Sequence, residues 1–137
     1  MPGSTDGPGA GERPVGAGER PVGGSAREPI FFESAAQLRA WLEEHHATAS
    51  ELFVGAWRKE TGRPSTTWEE MVDEALCVGW IDGIRRRVDD ARYTIRFTPR
   101  KARSIWSAVN IKRANELIEL GRMQPAGLKA FQERDPA

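Results

Sequence analysis

Apolar and polar positions recur along this chain with two periods, and the changes of period mark out its elements. Ser34 followed by Gln37 has capping-box spacing, and behind it Leu38, Trp41, Leu42 and His45 fall at i, i+3, i+4 and i+7. That spacing predicts an amphipathic helix over about 35–47. Leu52 to Lys59 (LFVGAWRK) is rich in strand formers and predicts a strand. Gly62 to Ser65 reads as a loop. Thr67 with Glu70 makes a second capping box and opens a helix over about 67–79, with Trp68, Met71, Val72, Ala75, Leu76 and Gly79 as its stripe. Glu69, Glu70, Asp73 and Glu74 form its outer face, where carboxylates suit the positive helix start.

The period then shortens to two. Ile84, Arg86 and Val88 share one parity, Asp89 to Ala91 make a polar turn, and Tyr93, Ile95 and Phe97 follow. Two alternating runs around a short turn predict a hairpin. Its apolar face would carry Ile84, Val88, Tyr93, Ile95 and Phe97, and its other face Arg85, Arg87, Arg92, Thr94, Arg96 and Thr98. Arg86 then lies at an edge or pairs with an acid, and a one-residue register slip would exchange the faces. Ser104 is placed to cap a helix reaching about 120, with Ile111, Ala114, Leu117 and Ile118 as its stripe and Gly121 as C-cap. Pro125 suits the first turn of a last helix over 125–133. The order α-β-α-β-β-α-α predicts an α+β domain. It would be a short antiparallel sheet of about three strands, including the hairpin, packed by about four helices on one face.

Composition sharpens this picture at the N-terminus. Residues 1–28 are rich in Gly and Pro and contain a tandem heptad, AGERPVG at 10–16 and again at 17–23. A segment with so little apolar surface cannot offset its ordering entropy and is expected to be disordered. Residues 29–137 hold all five Trp, all five Phe and the single Tyr of the 137-residue chain, enough for one domain. The lone Cys excludes a disulfide scaffold and a Cys-rich zinc module. No apolar run approaches a membrane span and no secretory signal opens the chain, so a cytoplasmic protein without membrane insertion is expected. Equal numbers of acidic and basic residues conceal a division: 33–79 carries a net −5 and 80–113 a net +7. Segregation of that size suggests a basic surface that attracts an anion.

The densest candidate chemistry lies in Cys77 to Gly83 and in Phe97 to Asn110. Arg100 and Arg103 stand just before a predicted helix N-terminus, where free N–H groups and guanidinium groups suit a phosphate or carboxylate. Trp80 and Trp106 could stack on a planar ligand or sit in the core. Asp82 could act as a base or binding carboxylate, or pair with Arg100. Cys77 reads as a buried structural thiol, and His45 and His46 as structural. The acidic run 69–74 reads as a solvated face, so no metal and no cofactor is expected. Tyr93 and Phe97 have inward parity, which removes the stacking platform that nucleic-acid binding would use, and nucleic acid is disfavoured as a partner.

The same segments resemble the bacterial YdeI/OmpD-associated, or bacteriocin-protection, proteins. These are similar in Ala75 to Gly83 (ALCVGWIDG), in Phe97 to Arg100 (FTPR), and in Ser104, Trp106, Ser107 and Asn110. Gly121 to Met123, Pro125 to Leu128, Trp41 to Glu43, and Lys59 extend the likeness over about 30–131. The resemblance implies a small α+β fold similar to frataxin-like domains and no established catalytic activity. It also implies a role in stress or antimicrobial-peptide protection, and a further C-terminal helical region that this chain would lack. On these grounds an anionic small molecule is the expected ligand, at a site lined by Lys59, Trp80, Asp82, Arg96, Arg100, Ser104, Trp106 and Asn110. Arg100 and Lys59 would neutralise it, Trp80 or Trp106 stack, and Asp82 and Asn110 orient its polar atoms. The alternative is an interaction module that docks an acidic protein partner through the basic hairpin face.

Overall fold

The computed structural model describes residues 28–136. The tandem heptad and the disorder expected around it lie outside the described residues. Along the described chain run β1 (Ile30–Phe31), α1 (Ala35–His45), β2 (Leu52–Trp57) and a 3-10 turn (Lys59–Thr61). Then come α2 (Trp68–Cys77), β3 (Trp80–Arg87), β4 (Arg92–Pro99), α3 (Ala108–Glu119) and α4 (Pro125–Gln132). The architecture is α+β, as expected, with an open four-stranded sheet in the order β1-β2-β4-β3. The pairs β2–β4 and β3–β4 are antiparallel. β1 is an addition to the predicted three strands and runs parallel to β2, Ile30 opposite Val54. Two residues carry no period to read. What holds them is pairing and the Phe31 ring, seated over Gly55 so closely that a Cβ there would lie 2.6 Å from it.

Local chemistry sets the helix ends. Ser34 accepts from the Gln37 N–H, while the Gln37 side chain accepts from Glu33 rather than Ser34. At α2 the Thr67–Glu70 box is complete in both directions. α3 does not start at Ser104: its N-cap is Ser107, which accepts from the Asn110 N–H at 3.1 Å. The intervening residues are held outside the helix. Arg103 has a left-handed backbone (φ 66), and Ile105 bridges to Asp135 of the C-terminal segment. α3 ends as predicted at Gly121, whose φ of 72 lets the N–H groups of Gly121 and Arg122 reach the carbonyls of Ile118 and Leu117. Pro125 opens α4.

The core divides in two. One cluster packs α1 and α2 on one face of the sheet, joining Leu38, Leu42, Met71 and Ala75 to Val54, Ala56, Tyr93, Ile95 and Phe97. The other joins Leu76 and Cys77 of α2 to Trp106, Ala114, Leu117, Met123 and Phe131. α2 therefore stands between the sheet and the α3–α4 layer. No described helix is long and apolar enough to cross a membrane.

The hairpin departs from its predicted faces. Asp82 lies opposite Phe97, but three residues later Arg85 lies opposite Ile95, two residues earlier on β4, so β3 carries one extra residue. This bulge at Gly83–Ile84 reverses side-chain parity beyond it. Tyr93, Ile95 and Phe97 are buried as predicted, whereas Ile84 is 61% exposed and Val88 is exposed. Arg85 and Arg87 instead share the helix-side face with Ile95 and Tyr93, and the Arg85 guanidinium stacks 3.9 Å from the centre of the Tyr93 ring.

Candidate functional site

The turn from α2 into β3 is made by Gly79 (φ 79), and the carbonyl of Gly79 accepts from the Arg100 N–H at 2.9 Å. The Arg100 side chain then folds back over its neighbours. Its Nε–H donates to the Trp80 carbonyl at 3.3 Å, and its guanidinium carbon stands 3.9 Å from the centre of the Trp106 ring. Arg100 is half-buried and, among the described residues, forms no ion pair. Burial lowers its pKa to about 10, with the Asp82 carboxylate acting in the opposite direction. It therefore stays charged at neutral pH as a partly desolvated cation.

The segment after Arg100 carries two buried polar atoms without a hydrogen-bond partner, the Ser104 hydroxyl and the Trp106 indole N–H. A buried donor left unmade costs about 1–3 kcal/mol. The segment that presents them is fixed from the C-terminal side: Asp135 donates to the Ser104 carbonyl at 2.9 Å, and Arg103 to the Glu133 carbonyl at 3.0 Å. The Trp106 ring itself is core, 4% exposed and packed edge-on to Phe131.

The other predicted site residues lie further away. Trp80 is 1% exposed and packs edge-on to Trp41, so its ring is core and only its carbonyl serves the site. Asp82 accepts from the Trp68 indole at 3.4 Å. It shares with Asn110 a cleft of about 440 Å³ between α2 and α3. Together with Asp82, the carboxylates Glu69, Asp73 and Glu116 outnumber Lys112 and Arg113 in that lining, so its charge does not suit an anion. Asp73 and Glu116 are held there by Arg113. Arg96 lies on the far face of the sheet, paired with Glu51 at 2.7 Å. Lys59 is exposed near the opposite end of β4, beyond Trp57, which lies opposite Arg92. With an eight-residue strand between them, Lys59 and Arg100 are roughly 25 Å apart at about 3.3 Å per residue. The eight residues therefore do not form one site. Arg100 and Trp106 are in contact, with Ser104 on the same short segment; Asp82 and Asn110 line a neighbouring cleft, and Lys59 and Arg96 stand apart.

Two features escaped the sequence. Glu74, expected on a solvated face, is 2% exposed. Its oxygens accept from Arg39 at 3.0 and 2.7 Å and from Arg122 at 2.9 Å. Cys77 lines the same cleft of about 460 Å³. Burial, with smaller electrostatic contributions, raises its thiol to about 11, which leaves it an unreactive structural group. The second feature is the sheet face away from the helices. The odd-numbered positions of β2 point there, and the signal was present in LFVGAW, where Phe53 and Trp57 alternate with the buried Leu52, Val54 and Ala56.

The hairpin tip is less basic than its sequence suggests, because Arg87 pairs with Asp90 and Arg92 with Asp89. Three hydrogen bonds from Arg92, two of them from its guanidinium, and one from the Ala91 N–H hold the Asp89 carboxyl at about 2.

Comparison with known proteins places residues 30–130 in the family described as Domain of unknown function (DUF8412), and the chain belongs to that family. No curated protein and no solved structure matches. The family match overturns the resemblance to the YdeI/OmpD-associated proteins, since nothing shows membership there. The expected protective role and further C-terminal region rested on that resemblance and lose its support.

Proposed function

We propose that this member of the DUF8412 family binds a small molecule through a phosphate or carboxylate group held by Arg100. The observation that carries the reading is the half-buried guanidinium with no ion-pair partner among the described residues, stacked on the Trp106 ring in a segment that also holds two orphaned buried donors. An anion would supply what all three lack: a counter-charge for Arg100 and acceptors for the Ser104 hydroxyl and the Trp106 indole N–H. Charge-assisted hydrogen bonds of this kind are the strong ones. The Trp106 ring holds the guanidinium plane from beneath, so little side-chain freedom is lost on binding. Asp82 limits the positive charge and would favour a singly charged group over a dianion.

The test is a thermal-shift panel on the full chain at neutral pH, with inorganic phosphate, carboxylic acids, sugar phosphates and nucleotides. Arg100→Gln and Trp106→Phe are run in parallel. A ligand at one hundred times its Kd should add about 2.7 kcal/mol, a rise of several degrees for a domain of this size. The expected result is a shift that Arg100→Gln abolishes and Trp106→Phe reduces. A cooperatively melting chain that no member of the panel moves would overturn the reading, as would a shift that Arg100→Gln leaves intact.

A further inference from the structure

The sheet has two faces, and only one of them is covered by described helices. The buried residues of β2 and β4 are Leu52, Val54 and Ala56, and Tyr93, Ile95 and Phe97, all directed toward α1 and α2. The positions between them point away. On that outer face stand Phe31, Phe53 and Trp57, all half-buried, with Thr94 and Thr98 on β4. Phe31 and Trp57 are 5.4 Å apart, ring centre to ring centre. Arginines accompany the rings. The Arg63 guanidinium lies 4.2 Å from the Trp57 ring and that of Arg92 5.5 Å. Arg96 lies opposite Phe53 and Arg86 opposite Thr94. Arg92 and Arg96 have carboxylate partners, but Arg63 and Arg86 form no ion pair among the described residues.

From this face we infer a docking surface for single-stranded nucleic acid, independent of the Arg100 site. The argument rests on matched chemistry. Aromatic rings and guanidinium planes on an open sheet face offer stacking surfaces to unpaired bases, which every base can use. Arg63 and Arg86 bring uncompensated positive charge for the phosphates, and Thr94 lies opposite Arg86. The hairpin aromatics Tyr93 and Phe97 are buried on the other side, as their parity predicted; the platform is built from β1 and β2 instead. An acidic peptide would answer the charge but leave the rings unused, and a duplex would hide the bases that they stack on.

Fluorescence anisotropy of the full chain with labelled twelve-nucleotide single strands, pyrimidine-rich and mixed, tests the inference. The same sequence as a duplex and a polyglutamate of similar length serve as competitors. Single strands should bind at least tenfold more tightly than the duplex. Affinity should fall roughly sevenfold to fiftyfold between 50 and 200 mM salt, as two to four phosphate contacts require. Trp57→Leu should weaken binding about tenfold. The double variant Arg63→Gln/Arg86→Gln should weaken it and flatten the salt dependence. Lys129→Gln, an equal type of charge loss on α4, should do neither. Thermal melts of each variant confirm that the fold is kept. Absence of single-strand binding at 0.1 mM protein would overturn the inference. So would equal binding of duplex or polyglutamate, or affinity that neither Trp57→Leu nor the double arginine variant changes.

Discussion

Two charged groups lie near the α2–β3 connection, Glu74 within α2 and Arg100 just after β4 with its N–H on the Gly79 carbonyl, and their surroundings are opposite. Glu74 is 2% exposed and accepts from two arginines, one of them through both oxygens. Arg100 is half-buried and has a ring beneath it, a backbone carbonyl, and no carboxylate within ion-pair distance. Desolvation penalises both, but only Glu74 recovers the cost within the described fold. A buried charge with its partners in place is explained by the structure alone. A half-buried charge left without one, beside donors in the same condition, is where an external partner gains most.

The contrast can be broken most severely at Glu74. Replacing it with Ala leaves Arg39 and Arg122 facing a vacated buried pocket. The expected loss is about 2–3 kcal/mol, below the usual value for a fully buried pair because both arginines are partly solvated. It should appear as a lower urea midpoint at unchanged slope. Alkaline pH attacks the same region through Cys77. Its thiol titrates near 9 when unfolded and at about 11 when folded, so the folded state holds the proton longer. Stability contributed in this way is complete below pH 9 and is lost as pH rises from 9 to 11, on the order of 2 kcal/mol. Denaturant melts at pH 8 and pH 10.5 should show the loss, and Cys77→Ala should remove it.

Milder substitutions at the two charges should act with opposite signs. Arg122→Met keeps the stem and removes one of three donors to Glu74, for an expected cost of about 1 kcal/mol. Arg100→Met should cost nothing, or stabilise by up to about 1 kcal/mol, because it removes an uncompensated, partly desolvated charge and keeps the contact with Trp106. Opposite signs in parallel urea titrations would uphold the contrast. A loss at Arg100 equal to that at Arg122 would mean that Arg100 is a structural residue.

Sequence periodicity revealed most of the local structure because local chemistry decided it. The Thr67–Glu70 box, Gly121 and Pro125 each act within one turn of chain, and each stands where the pattern put it. Of the α2 stripe, Met71, Ala75 and Leu76 are buried, but Trp68 is exposed and Gly79 lies beyond the helix end. What it missed depends on distant partners. Glu74 looks solvated beside Glu69, Glu70 and Asp73, and nothing local reveals Arg39 and Arg122, 35 and 48 positions away. Ser104 has the residue type of a helix cap, but contacts with Glu133 and Asp135 hold its segment outside α3. The candidate site was legible in part for the same reason. Arg100, Ser104 and Trp106 lie on one short segment and stay together, whereas Arg96 and Lys59 were grouped by charge and the sheet separates them. Trp80 was chosen for its ring, and packing took the ring into the core.

The bulge in β3 has a consequence for how this fold can change over time. Along a strand, side-chain direction behaves like the phase of a wave, and one additional residue shifts that phase by half a cycle. Every position from Arg85 to Arg87 inherits the shift. A single codon gained or lost near Gly83 would therefore exchange arginines and aliphatic residues between the two faces of the hairpin, with the overall composition almost untouched. Length variation at this position, more than substitution, is the short evolutionary route to a different surface.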